Sequence, residues 1–401
     1  MHTANATNNL VRRGAARRAA GGAVRASRLG PVRAHVTEER SREAAGAAVA
    51  EDEEDAVRLF VGLPADVVVS DGRGVSRPRA VSAALRALKL LGVDGVELPV
   101  SWAAVQPGSG GWFEWAGYRA VAAMVRDAGL DLRVSLRTDG DALPEWVADA
   151  AAAAVLFTDR NGHPSPLEAY EAFFRSFADE FKDLLGSTIT DVTVSLGPNG
   201  ELRYPSYPPG SNAADGYSGV GEFQCYDKYT LARLKRHAES SGQPLWGLSG
   251  PHDGPRYDES PESSAFFREP GGSWKSAYGE FFLSWYAGEL LAHGDRVLAA
   301  AARAFGGKPV ELSARVPLLR GSRAAGLHGG YGPVAEMFAR HGCAVVACGV
   351  EARPDAPAEE FVRALECPEE AHADDLPGGE RLTVPSASAA AQDGARAVQT
   401  V

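Results

Sequence analysis

From residue 58 onward the chain alternates two hydrophobic rhythms. Short runs of aliphatic and β-branched residues read as strands: "RLFVGLP" (58–64), "GVELPVSW" (95–102), "LDLRVSLR" (130–137), "ITDVTVSLGP" (189–198), "PVELSARVPL" (309–318) and "CAVVACGV" (343–350). Between them apolar residues recur every three or four positions, as Val81, Ala84, Leu85, Leu88 and Leu91 do within 77–92, and this spacing predicts helices. Further helices are predicted over 115–129, 167–185, 276–306, 332–342 and 356–367. A long loop-rich insertion, about 203–275, interrupts the rhythm after the fourth strand.

Strands separated by helices imply a parallel sheet of an α/β protein, and six such units favour a (β/α)8-type TIM barrel over a doubly wound sheet. No glycine-rich phosphate fingerprint follows the first strand, which lowers the dinucleotide-fold alternative. The barrel is expected to span 57–367. Beyond it, 368–401 offers only a degenerate seventh strand ("RLTVPS", 381–386) and helix, so the last strand is expected to be missing and the open edge to need a covering partner.

Composition changes the picture at the N-terminus. Residues 1–37 carry seven arginines, no lysine and no acidic residue, without an apolar stretch of the secretory kind. Such a leader resembles an organelle transit peptide, with a plain basic tail as the alternative reading, and 38–56 reads as a disordered charged linker. The formal net charge is −11 with those arginines included, so the body is more acidic still, which disfavours nucleic acid and anionic membrane as partners and suits a neutral substrate. No run of about 18 apolar residues exists to span a membrane as a helix. Cys225, Cys343, Cys348 and Cys367 match no common zinc spacing and read as reduced thiols. The nine histidines include no i, i+4 pair among His252, His293, His328 and His341; no metal and no cofactor is expected.

Two carboxylates stand out. Glu201 sits in "SLGPNGELRYPSYP", a glycine- and proline-stiffened turn after the fourth strand, and Glu351 follows the sixth. In a barrel both fall at the C-terminal ends of strands, where active sites lie. Opposed carboxyls of this kind are what glycoside hydrolysis uses, one as acid and one as base or nucleophile, although spacing alone leaves them equally readable as surface carboxylates.

"LGPNGELRYPSYP" followed by "GVGEFQCYDKY" (219–229) resembles the signature of the plant-type β-amylase family, inverting glycoside hydrolases that release maltose from α-1,4-glucans. "LKLLGVDGVELPVSW", "LPEWV", "FTDRNG", "PESSAFF", "GEFFLSWYAGELLAHGDRVL" and "YGPVAEMFARHG" extend the likeness over about 58–365. The resemblance implies Glu201 as general acid and Glu351 as general base, about 6.5–9.5 Å apart with water between them. It also implies starch, maltodextrin or maltose as ligand and, with the leader, the chloroplast stroma as location. Tyr204 and Tyr207 are expected to pack around the acid, and a partly apolar surround to keep it protonated.

The sugar-binding loops depart from the family. Pro99 stands where the family has an aspartate, Ser101-Trp102 replace two tryptophans, Arg137 replaces a histidine, and most of the mobile lid after the third strand is deleted. Arg315 and Arg320 take the family's two basic positions, and Ala347 replaces a threonine before the base. Arg137, Arg315, Arg320 and Ala347 are therefore the substrate-binding candidates. Lid closure and sugar contacts convert binding into rate. Their loss implies a β-amylase with weakened hydrolysis or, alternatively, a catalytically inactive glucan-binding or regulatory homologue. Of the rest, Trp112 and Trp115 are read as packing rather than sugar stacking, Trp146 as a helix anchor, Trp285 and Tyr286 as core, and Asp227 with Lys228 as a polar network behind the site. Arg203 is expected to point away from Glu201, because direct contact would disfavour a protonated acid.

Overall fold

A computed structural model describes residues 58–109, 112–139, 142–150, 166–204, 222–256, 259, 261–317, 323 and 325–348, together with two short terminal strands. Six parallel strands stand side by side in chain order: β1 (Arg58–Gly62), β2 (Gly95–Ser101), β3 (Asp131–Arg137), β4 (Ile189–Val194), β5 (Glu311–Pro317) and β6 (Ala344–Cys348). The helices are α1 (Pro78–Leu90), α2 (Trp102–Val105), α3 (Ala116–Asp127), α4 (Glu145–Ala150), α5 (Pro166–Glu180), α6 (Lys228–Ser240), α7 (Ala277–Phe305) and α8 (Gly332–Arg340). The result is an α/β fold built on a curled parallel sheet, as the strand and helix periods predict.

The edges differ from expectation. Asn8–Arg13 pairs antiparallel with β1, Gln399–Thr400 pairs parallel with β6, and the two terminal strands pair with each other. The expected seventh strand at 381–386 lies outside the described residues.

Register explains how the two faces of the sheet divide the chemistry. Successive side chains point to opposite faces, so residues paired across strands share a face. Glu97, Arg133, Asp191 and Glu311 are in register, as are Pro99, Ser135, Thr193 and Ser313 two residues further along. This is the inner, polar face. Its middle is closed by an Arg133–Asp191 contact at 3.3 Å, with both side chains almost wholly buried, and by a Thr193–Ser313 hydroxyl bond at 2.8 Å. The Arg133 guanidinium lies 4.6 Å over the Phe60 ring. Phe60 fits because its partner in register is Gly95, whose Cβ would fall 2.4 Å from the ring.

The outer face carries Val96, Leu98, Val100, Leu132, Val134, Leu136, Val192, Val194, Leu312, Ala314 and Val316, all buried against helices. Phe173, Phe174 and Phe177 on α5, continued by Phe181 just past its end, make an aromatic stripe. Phe173 stacks on Trp102 at 5.6 Å and on Trp115 at 6.0 Å. Trp115 also donates to Ser176 Oγ at 2.9 Å, and Trp146 donates to the Gln106 carbonyl at 3.1 Å, so both pack as expected. Trp112 does not; it is 60% exposed. Trp285 and Tyr286 lie in the core on α7.

Within the expected loop-rich insertion the structure places α6. Asp227 starts it, its Oδ1 accepting from the backbone N–H groups of Tyr229 and Thr230. Asp227 is thus a helix cap rather than part of a network behind the site. The helix escaped the periodicity reading because charged residues fill it and only Thr230, Leu234 and Ala238 are buried.

Candidate active site

The C-terminal ends of β2 to β6 bring together Ser101, Arg137, Arg315 and Cys348 with the turn that carries Glu201. The chain turns at Pro198–Gly200, a single 3-10 turn in which Asn199 and Gly200 adopt left-handed backbone angles, φ 58° and 81°. The chain then returns to the sheet: Glu201 bridges Arg315 in parallel register, and the Leu202 N–H donates to the Arg315 carbonyl at 2.9 Å. Gly197 permits this close return, since a Cβ there would lie 2.6 Å from the Glu201 carbonyl oxygen and 2.7 Å from that of Arg203. Sequence stiffness and backbone pairing together fix where Glu201 stands.

Its surroundings are more polar than the sequence implies. Arg203 Nε donates to Glu201 Oε2 at 2.7 Å, and the Arg203 side chain is 5% exposed. The expectation that Arg203 points elsewhere is corrected: two residues apart in an extended segment put both side chains on the same side. Tyr204 packs behind, stacked on Tyr286 at 3.9 Å with its hydroxyl donating to the Tyr286 carbonyl at 3.0 Å. Burial pushes the pKa of both phenols well above their ordinary value. Tyr207 lies outside the described residues.

Two of the three arginines assigned to the sugar are engaged by the chain's own acids. Arg315 Nη2 is bound to Glu97 Oε1 on the inner face of β2, and Arg137 Nη2 lies 3.4 Å from Asp139 Oδ2. Burial alone would depress the pKa of Arg315, but Glu97 chiefly, then Cys348, Glu201 and Asp139, hold it above its ordinary value. Ala347 is wholly buried in the apolar core, paired with Val316 on the helix-facing side of the sheet, and presents no atom to the mouth. Arg320 and Glu351 lie outside the described residues, so the separation of the two carboxyls is not part of this description.

Residues to which sequence reasoning gave no place in the site complete it. His293 on α7 faces the Leu196 carbonyl through Nε2 at 2.9 Å, so this nitrogen carries the proton and donates. Burial, reinforced by Arg296, lowers its pKa to about 4, and the ring is neutral at ordinary pH. Glu97 was legible only as a charged residue at an alternate position of a strand, and Asp139 only as a turn residue after one. Among the described residues no group of three or more histidine, cysteine, aspartate or glutamate side chains is disposed to hold a metal ion.

One carboxyl, that of Glu201, is thus held at the mouth of a curled parallel sheet, with arginines beside it and an aromatic pair behind it. The model of glycosyl hydrolase family 14 matches residues 60–364, and the chain belongs to that family. It is 44% identical over 336 residues to "Inactive beta-amylase 9" of Arabidopsis thaliana, covering 74% of this chain and 62% of that one. It is 38% identical over 342 residues to "Beta-amylase 2, chloroplastic" of Oryza sativa subsp. japonica, covering 74% and 61%. The chain thus spans about three fifths of the length of these relatives. Among solved structures, the catalytic domain of a β-amylase from Paenibacillus polymyxa matches with a TM-score of 0.57 at 24% identity, covering 72% of this chain and 75% of that one, which shows the shared fold.

Proposed function

We propose that this chain is a glucan-binding β-amylase homologue of starch metabolism whose hydrolysis is weakened by several orders of magnitude. One observation carries the reading: Arg315 and Arg137, at positions assigned to the sugar, are bound to Glu97 and Asp139. A sugar hydroxyl arriving there must compete with a charge-assisted contact, and positioning contributes roughly 7–11 kcal/mol to a barrier when it is complete. Residual chemistry would run by inversion, with Glu201 donating a proton to the departing glycosidic oxygen while Glu351 takes one from the attacking water.

The full (β/α)8-type barrel, the plastid stroma and α-1,4-glucan or maltose as ligand are part of the same proposal, supported by the family and by the chloroplastic name of one relative. A second reading, regulation without any catalysis, is favoured by the 44% identity to a relative named inactive. The test is calorimetric titration of maltoheptaose into the full chain. Saturable binding that survives the isosteric Glu201→Gln change is expected; no heat with ligand up to about 10 mM, a free energy weaker than roughly −3 kcal/mol, would refute glucan binding.

A further inference from the structure

The loop after β3 is short, and it delivers a carboxylate into the turn that carries Glu201. Asp139 Oδ1 accepts from the Ser195 hydroxyl at 3.0 Å, and Oδ2 accepts from the Asn199 backbone N–H at 3.0 Å. The first donor lies before the turn and the second within it, so one side chain spans the segment from the end of β4 to the left-handed residue preceding Gly200. Asp139 is itself aimed by its own loop, because Ala142 N–H donates back to the Asp139 carbonyl at 2.9 Å. Its side chain is 9% exposed, so water competes little for these bonds.

We propose that Asp139 is a positioning residue for Glu201: its carboxylate fastens the Pro198–Gly200 turn to the end of β3, so that a fixed strut stands where a longer loop would move. The function assigned to the strut rests on the reading of Glu201 as the carboxyl that meets the glucan. The turn passes through φ 58° at Asn199, a left-handed conformation that asparagine tolerates better than most residues bearing a side chain, so the turn residue supplies part of the geometry and its neighbours fix the rest. The bond from its N–H to Asp139 acts at that residue, while His293 holds Leu196 from the opposite, helix-facing side. Arg315 Nη1, 3.5 Å from the Asn199 carbonyl, adds only a long contact.

The experiment uses the full chain and its Asp139→Ala, Asp139→Asn and Ser195→Ala variants, with two readouts. One is hydrogen exchange at the Asn199 amide; the other is the pH titration of the Glu201 carboxyl carbon, assigned through Glu201→Gln. Asp139→Ala should speed Asn199 exchange at least about tenfold, as expected for loss of a bond to a charged acceptor, and displace the Glu201 titration, leaving the amides of α7 unchanged. Asp139→Asn should restore both, since its amide oxygen can accept from Asn199 while its NH2 donates to the Ser195 hydroxyl. An Asp139→Ala chain with unchanged Asn199 exchange and Glu201 titration overturns the proposal, as does an Asp139→Asn chain that behaves like Asp139→Ala. If Asp139→Ala does not fold, Ser195→Ala carries the test, because it removes one of the two bonds and no charge. A displaced Glu201 titration there supports the strut and an unmoved one overturns it. Maltoheptaose titration of the same samples separates the two levels: no binding by any of them refutes the glucan reading and leaves the strut result intact.

Discussion

Replacing Glu97 by glutamine perturbs the contact on which the weakened-hydrolysis reading depends. Glu97 is 8% exposed and Arg315 is 23% exposed in their side chains, so the pair is largely removed from water on the Glu97 side and open to the mouth on the other. Stranding one partner of a fully buried ion pair costs about 3–5 kcal/mol. Glutamine keeps the shape and one accepting oxygen, and Arg315 retains access to solvent, so the expected loss is about 2–3 kcal/mol. Denaturant unfolding of the single variants Glu97→Gln and Arg315→Met and of the double variant measures it, with a coupling energy of at least about 1 kcal/mol expected between residues in direct contact. Release of Arg315 should also tighten maltoheptaose binding severalfold. A Glu97→Gln chain within about 0.5 kcal/mol of wild type, the range of an ordinary surface change, and a coupling of zero would refute the reasoning.

Three further outcomes follow from the packing around the site. His293 has a folded pKa of about 4 against an ordinary 6.5, so the unfolded chain binds the extra proton; stability is full above pH 6.5, falls as pH drops toward 4, and loses about 3 kcal/mol in all. His293→Gln, which can still donate to Leu196, should flatten that slope in unfolding measured from pH 7 to 4, and an unchanged slope would show that another group titrates. Gly197→Ala forces a Cβ against two backbone carbonyls, at a cost of about 1–3 kcal/mol, and should weaken glucan binding; melting temperature and calorimetry check it, and no change in either contradicts the tight return of the turn. Phe173→Ala removes the ring stacked between Trp102 and Trp115 and should cost about 3–5 kcal/mol by denaturant unfolding without altering glucan affinity, since it lies on the helix side of the sheet.

Local order was legible in the sequence wherever one face had to be apolar. The run "LDLRVSLR" was legible as the strand β3, and the apolar spacing over 167–185 as the helix that packs on the sheet. The Glu201 turn was readable from its glycines and prolines. Long-range charge pairing was not: Glu97 and Arg315 stand 218 residues apart, and only strand register brings them to one face. Arg203 was misjudged for a related reason. Its chemistry argued for separation from Glu201, while the extended backbone placed the two side chains together. α6 was hidden because a helix that buries so little leaves almost no apolar period to read.

The most direct test of weakened hydrolysis is the initial rate of maltose release from soluble starch by the full chain, measured beside Glu201→Gln prepared identically. The predicted result is a turnover below the ordinary enzymatic range of about 1–10³ s⁻¹, with whatever remains abolished by the substitution. A wild-type turnover within that range would contradict the account, because it would mean that Arg315 and Arg137, though bound to the chain's own acids, leave the glucan fully positioned.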